Sequence, residues 1–206
     1  MSLFSAACVA SLNAEFFTAD FFNRIAQQYG QNKIDDFKDW QSLIEDAEGL
    51  DDYSKLNLAN QFANRHIKYQ TDTQHWDKSD YWATPIESLG SGAGDCEDYA
   101  IFKYFTLKAM GVDESKMRLM YVRALTIDEP HMVLIYFETP RDIPLVLDNY
   151  QTKIKPASQR KDLKPIYSFN GQGLWLAKAR GLGNTKPNSS GTKDWTNLMT
   201  RIEQGQ

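Results

Sequence analysis

The sequence predicts an α+β protein in which helices come first and an antiparallel sheet follows. Three observations carry that expectation. Apolar residues recur at helical spacing through the first third of the chain. From Met117 to Leu147 the pattern changes to β-branched and aromatic runs separated by turn clusters. The 206 residues, 42% hydrophobic and 13% aromatic, are enough for one substantial core without staples.

Phe17, Phe21, Phe22 and Ile25 set a first helix that Gly30 ends, and Phe37, Trp40, Leu43 and Ile44 set a second before Gly49. Leu58, Phe62 and the run Arg65 to Tyr69 make a third, with Ser54 expected as its cap. Between Gln70 and Gly94 the chain turns to Asp, Ser, Thr and Gly around Trp76, Tyr81 and Trp82, which reads as a long irregular loop. Loops of that length inside one domain usually serve function. A fourth helix opens at Asp95 and stops at Gly111. Met117 to Arg123, His131 to Glu138 and Ile143 to Leu147 then read as neighbouring antiparallel strands, and Ile166 to Phe169 and Leu174 to Ala177 as a further pair joined at Asn170-Gly171.

The ends differ from this middle. Leu3 to Leu12 (LFSAACVASL) is small, apolar and uncharged, so residues 1–14 are expected to be a residual signal-peptide or linker segment, the domain to span 15–180, and residues 181–206 to form a flexible tail with a short helix near Trp195 to Ile202. An ordinary apolar helix is the competing reading of the first segment, which is too short to cross a bilayer. Lys and Arg number 23 against 27 Asp and Glu, a net charge of −4 with no block of like charge, so neither a phosphate backbone nor an anionic membrane is an expected partner.

Of the two cysteines, Cys8 and Cys96, neither has zinc or disulfide-framework spacing. Cys96 stands in Gly94-Asp95-Cys96-Glu97-Asp98, on the first turn of a helix, where free backbone N–H groups and the positive dipole end favour a thiolate. Asp95, Glu97 and Asp98 oppose that, because like charges raise a thiol pKa. They read either as helix caps or as oxygen ligands of a hard divalent cation such as calcium, with Asp72, Asp77 and Asp80 upstream as further oxygen donors. A nucleophilic cysteine needs a base, and of His66, His75 and His131 the last is best placed, following Pro130 at the mouth of an apolar strand. Asp148 closes the next strand and could orient the imidazole, with Asn149 as its substitute.

The order of Cys on a helix, His on a strand and Asp on the next resembles the papain-like, transglutaminase-like core. The block YWATPIESLGSGAGDCEDYAIFKY, with HMVLIY, LVLDN and YSFNGQGLWL, is more specific. Across about residues 15 to 180 the chain resembles the bacterial transglutaminase-like cysteine proteinases of the LapG type. That resemblance implies a helical N-terminal part and nucleophile helix packed on an antiparallel sheet. It further implies a periplasmic, calcium-dependent endopeptidase that cuts a large cell-surface adhesin near its N-terminus and promotes biofilm dispersal, restrained by the periplasmic domain of an inner-membrane cyclic-di-GMP receptor. Cys96 would be the nucleophile, His131 the base, Asp148 the orienting carboxylate, and Asp95, Glu97 and Asp98 the calcium ligands. The backbone N–H of Cys96 and either Gln74 or Trp82 are the expected oxyanion donors. Two alternatives stay open: a transglutaminase-type acyl transferase, and a non-catalytic calcium-binding interaction module on the same fold.

Overall fold

The computed structural model describes residues 16–176, 185–186 and 193–206. The expected leader at 1–14, with Cys8, lies outside the described residues. Helix α1 (Ala19–Tyr29) starts where Thr18 accepts the Phe21 N–H at 3.1 Å and ends at Gly30, whose φ of 97° is open to glycine. It buries Phe21 and Ile25, and α2 (Ile34–Glu45) buries Phe37, Trp40 and Ile44 against them. Helix α3 (Asp52–His66) begins one turn earlier than expected. Its cap is Asp51, which accepts the Ser54 N–H at 2.9 Å, so Ser54 receives a cap and does not provide it.

The stretch from 70 to 94 is more ordered than its composition suggests. After the two-residue β1 (Lys68–Tyr69) come the short α4 (Asp72–His75) and α5 (Pro85–Ser91), then β2 (Ala93–Gly94). Helix α5 is nucleated by a reciprocal capping box: Thr84 accepts the Glu87 N–H and Glu87 accepts the Thr84 N–H, with Pro85 in the first turn. Strand β2 pairs with β1 in parallel, Tyr69 opposite Gly94, which fixes the chain just before Cys96.

Helix α6 (Cys96–Ala109) is apolar nearly all round, the pattern of a helix enclosed on every side. The N-terminal helices cover one flank, where the Trp40 indole N–H donates to Thr106 Oγ1 at 2.9 Å. The sheet covers the other. Its strands are β3 (Met117–Ala124), β4 (Glu129–Tyr136), β5 (Leu145–Leu147), β6 (Lys155–Pro156), β7 (Leu163–Asn170), β8 (Gly173–Leu176) and β9 (Thr185–Lys186), antiparallel in the order β6-β5-β4-β3-β7-β8-β9. Leu119, Met132, Leu134, Leu147 and Phe169 join the main core with α6, while Val122, Val133, Ile135 and Val146 form a smaller cluster. The β7–β8 hairpin is tighter than expected: Asn170 pairs with Gly173, so Gly171 and Gln172 make the turn.

The stretch expected to be a flexible tail ends in α7 (Lys193–Glu203), whose Trp195 and Leu198 are buried in the main core. Arg201 on this helix donates to Glu87, to the Tyr81 hydroxyl and to the Trp82 carbonyl, so the terminal helix ties down the segment ahead of α5. Residues 181–184 and 187–192 lie outside the described residues. No described helix is long and apolar enough to cross a membrane.

Candidate active site

The start of α6 depends on a close approach. A Cβ on Gly94 would meet the Asp98 side chain at 2.6 Å, so only glycine lets Asp98 fold back over the helix entrance. Asp98 is fully buried; its carboxylate accepts the Asp95 N–H at 3.2 Å and the Ala83 N–H at 2.7 Å, joining α6 to the segment before α5. That is the capping arrangement the sequence suggested, extended to a tertiary contact. It sets Cys96 at the first helical position, half-buried, with Sγ donating to Glu97 Oε2 at 3.0 Å. Burial pushes the thiol well above its usual pKa and the neighbouring Glu97 and Asp95 add to this, opposed by a hydrogen bond from the Met132 backbone. Strand β5 pairs only with Leu134, Ile135 and Tyr136, which leaves the β4 edge open at Met132.

His131, next to Met132 on β4, is 1% exposed. Its Nε2 lies 2.8 Å from Asp148 Oδ1, and its buried Nδ1 has no hydrogen-bond partner among the described residues. Tyr150 covers the imidazole face, the rings 4.3 Å apart and inclined by 2°. The charge of Cys96 helps raise the pKa of Tyr150, after burial and the hydrogen bond to Tyr69. Cys96, His131 and Tyr150 thus share one locality.

Asp148 follows β5 and is held on every side. Besides His131, its Oδ1 accepts the Tyr150 N–H at 3.1 Å; its Oδ2 accepts Arg160 Nη2 at 2.6 Å; its main-chain carbonyl accepts Lys103 Nζ at 3.0 Å and Asn64 Nδ2 at 3.3 Å. Burial pushes this carboxyl up, but the bonds from His131 and Arg160 outweigh it and hold the pKa down at about 2. Asn149 is not the imidazole's partner; its Oδ1 is buried without a hydrogen bond among the described residues.

The acidic residues gather beside Cys96. Carboxylate oxygens of Asp72, Asp95 and Asp98 lie within 4.8 Å of one another, as do those of Asp72, Asp80 and Glu97; Asp95, Cys96 and Glu97 form a third such group. Asp77 joins none of these groups. Burial first, then Glu97, pushes Asp95 up to about 8; burial and then Asp95 push Asp72 up to about 6; burial also raises Glu97 and Asp98. Asp72 Oδ1 and Asp95 Oδ1 are buried with no hydrogen-bond partner among the described residues.

Other expected residues lie elsewhere or are engaged. His66 stacks on Phe62 at 4.1 Å and approaches Asp36, and His75 packs against Trp76 on α4. Trp82 is buried against Phe169 and hydrogen-bonds Asp80, while Gln74 is exposed on α4. Sequence reasoning missed Arg160, Lys103, Asn64 and Tyr150. Tyr150 could have been suspected from its place two residues after Asp148; the others carry no local signal.

The same arrangement of elements occurs in known proteins. A family model described as bacterial transglutaminase-like cysteine proteinase matches residues 30–165. The calcium-bound structure of Legionella pneumophila LapG is 41% identical, covers 89% of this chain and 98% of its own, and superposes with a TM-score of 0.76; the EGTA-treated form is 41% identical, covers 89% and 96%, and gives 0.77. Among curated proteins none matches. With a family match across most of the chain and a 41% identical relative aligned over 98% of its own length, this chain belongs to the bacterial transglutaminase-like cysteine proteinases.

Proposed function

We propose that the protein is a periplasmic, calcium-dependent endopeptidase that cuts a large surface adhesin near its N-terminus, releases it and promotes biofilm dispersal, under restraint by the periplasmic domain of an inner-membrane cyclic-di-GMP receptor. Cys96 is its nucleophile, His131 its base and Asp148 the carboxylate that orients the imidazole. The observation that carries the catalytic assignment is the state of the imidazole. With Nε2 committed to Asp148 and Nδ1 buried without a partner among the described residues, the ring has one nitrogen free for a proton transfer, on the strand that also donates to the sulfur.

The chemistry follows from that. Nδ1 takes the thiol proton as Sγ attacks the scissile carbonyl, and the negative oxygen meets the Cys96 backbone N–H at the positive end of α6. The C–N bond breaks as the imidazolium returns its proton to the leaving amine, and a water activated by His131 then hydrolyses the thioester. Asp148 keeps the ring in the required tautomer throughout.

Buried carboxylates that face one another with oxygens unpaired among the described residues fit a hard cation, and an all-oxygen donor set suits calcium. Asp95 and Asp98, grouped with Asp72, and Glu97, grouped with Asp72 and Asp80, would hold it, Asp72 being common to both groups. When bound, the ion would offset the negative charge that opposes thiolate formation. The calcium-bound form of the Legionella relative supports this reading.

The test is cleavage of a co-expressed N-terminal adhesin fragment from the same host. Native protein should cut it, Cys96→Ala should not, and a chelator should stop cleavage until calcium is restored. Cleavage by Cys96→Ala sinks the proposal, and incorporation of a labelled amine without chain scission would favour acyl transfer over hydrolysis.

A further inference from the structure

Arg160 belongs to none of the motifs that mark the site, yet it makes the shortest hydrogen bond to Asp148. It stands where a 3-10 turn (Ala157–Gln159) ends ahead of β7, and it is 4% exposed. Its Nη2 donates to Asp148 Oδ2 at 2.6 Å. The same guanidinium donates to Asp162 from Nη2 at 2.7 Å and from Nε at 3.0 Å, and Asp162 lies toward solvent, its side chain 36% exposed.

We propose that Arg160 is a positioning residue of the Cys96, His131 and Asp148 site, locking the Asp148 carboxylate in the orientation that presents Oδ1 to His131 Nε2. The inference rests on the catalytic reading above and adds a residue to it. An aspartate carboxylate turns broadly about its last torsion, so one hydrogen bond to an imidazole does not fix both groups. Anchoring the second oxygen does. Asp162 pins the guanidinium from the far side, bonded by both Nη2 and Nε, and the rigid plane of arginine fixes the direction of its donors where an ammonium group on a flexible stem would not.

A purely structural role is the competing account, and the arrangement of bonds separates the two. The main chain of Asp148 is tethered independently, through its carbonyl, by Lys103 on α6 and Asn64 on α3. Without Arg160 the backbone at Asp148 keeps its moorings and Oδ1 keeps its bonds to His131 and the Tyr150 N–H, but Oδ2 loses its anchor and the carboxylate can turn about Oδ1. The imidazole then loses its fixed direction, and Nδ1 is no longer held for the proton transfer assigned to it above. A misplacement of about 1 Å at a reacting group is enough to lower a rate on the order of 100-fold.

The experiment reads alkylation by iodoacetamide at pH 7, scored on the Cys96 peptide by mass spectrometry so that Cys8 is not counted, together with the low-field proton resonance of the His131 Nε2–H; neither needs knowledge of the natural substrate. Each variant of the full chain is first checked for folding by circular dichroism. Arg160→Met should slow alkylation on the order of 10- to 100-fold and move or broaden the resonance, and Arg160→Lys should restore part of both. His131→Ala should slow alkylation at least as much. A folded Arg160→Met protein with the native rate and an unmoved resonance overturns the inference, even while His131→Ala remains slow. If His131→Ala also reacts at the native rate, the catalytic reading itself falls. Should Arg160→Met fail to fold, Asp162→Asn, which loosens the guanidinium from its exposed side, decides: a slowed rate with a shifted resonance upholds the role, and native values for both overturn it.

Discussion

Two groups of buried and half-buried carboxylates lie within the same region and have opposite fates. Asp148, at the end of β5, is held at about 2, while Asp95 and Asp72, around the start of α6, are pushed up to about 8 and about 6. Burial raises all three, so burial does not separate them. Partners do. Asp148 faces a guanidinium, an imidazole and a backbone N–H; Asp95 and Asp72 face each other, Glu97 and Asp98. The chain completes one anionic site from its own side chains and leaves the other short of positive charge. The Asp148 carboxylate is therefore held by the fold itself, and the acids next to the thiol are the ones open to an added cation.

The comparison is most easily broken at Asp148. Asp148→Ala leaves Arg160 and His131 buried without their shared anion, and loss of one member of a buried charge pair costs about 3–5 kcal/mol. For a chain of this size that is a fall of roughly 6–20 °C in Tm. A loss below about 1 kcal/mol by denaturant titration would mean that the pairing is not what holds the carboxylate. Acid sharpens the same point. The native carboxyl titrates at about 2 and the unfolded one near 3.8, so the unfolded chain takes up the proton first as pH falls. The resulting roughly 2 kcal/mol is present above about pH 4 and drains away toward pH 2. Asp148→Asn should lack this part of the acid transition, and an unchanged acid limb would contradict the assignment.

How far each region could be read in advance follows the same division. Cys96, His131 and Asp148 were legible as candidates because each sits near where a pattern changes: a glycine before a helix, a proline in the opening residues of a strand, an Asp-Asn after a strand. The acids around Cys96 were legible as a cluster because three of them fall within one turn. Arg160 and Lys103 were not, since an arginine in a polar turn and a lysine on a helix have no local mark of their tertiary partner. Only the fold, which brings residue 160 back across 12 residues to Asp148, reveals it. Short helices α4 and α5 were hidden by loop-like composition, although the Thr84-Pro85-x-Glu87 capping signature was present. The burial of Trp195 and Leu198 was hidden because the Gly-, Asn- and Ser-rich stretch before them reads as a linker, whatever the helix after it does.

The smallest expected effect carries the more telling sign. Asp72→Asn removes a negative charge from the region where acids outnumber the nearby cation, Lys78. The amide oxygen can still accept the Tyr81 N–H that Asp72 Oδ2 now accepts, while the amide nitrogen can donate into the acids opposite. Repulsion becomes a hydrogen bond, worth about 1 kcal/mol. In chelator the variant should be more stable than the native protein by about that amount, an unusual outcome for a substitution at a buried polar residue. In calcium the order should narrow or invert, because the native protein gains about 2.7 kcal/mol at a hundredfold excess over Kd and a chain lacking one ligand gains less. Paired melting curves with and without the ion measure both terms. A variant less stable than native in chelator would show that Asp72 already has its positive partner within the fold, and the contrast between the two carboxylate groups would lose its basis.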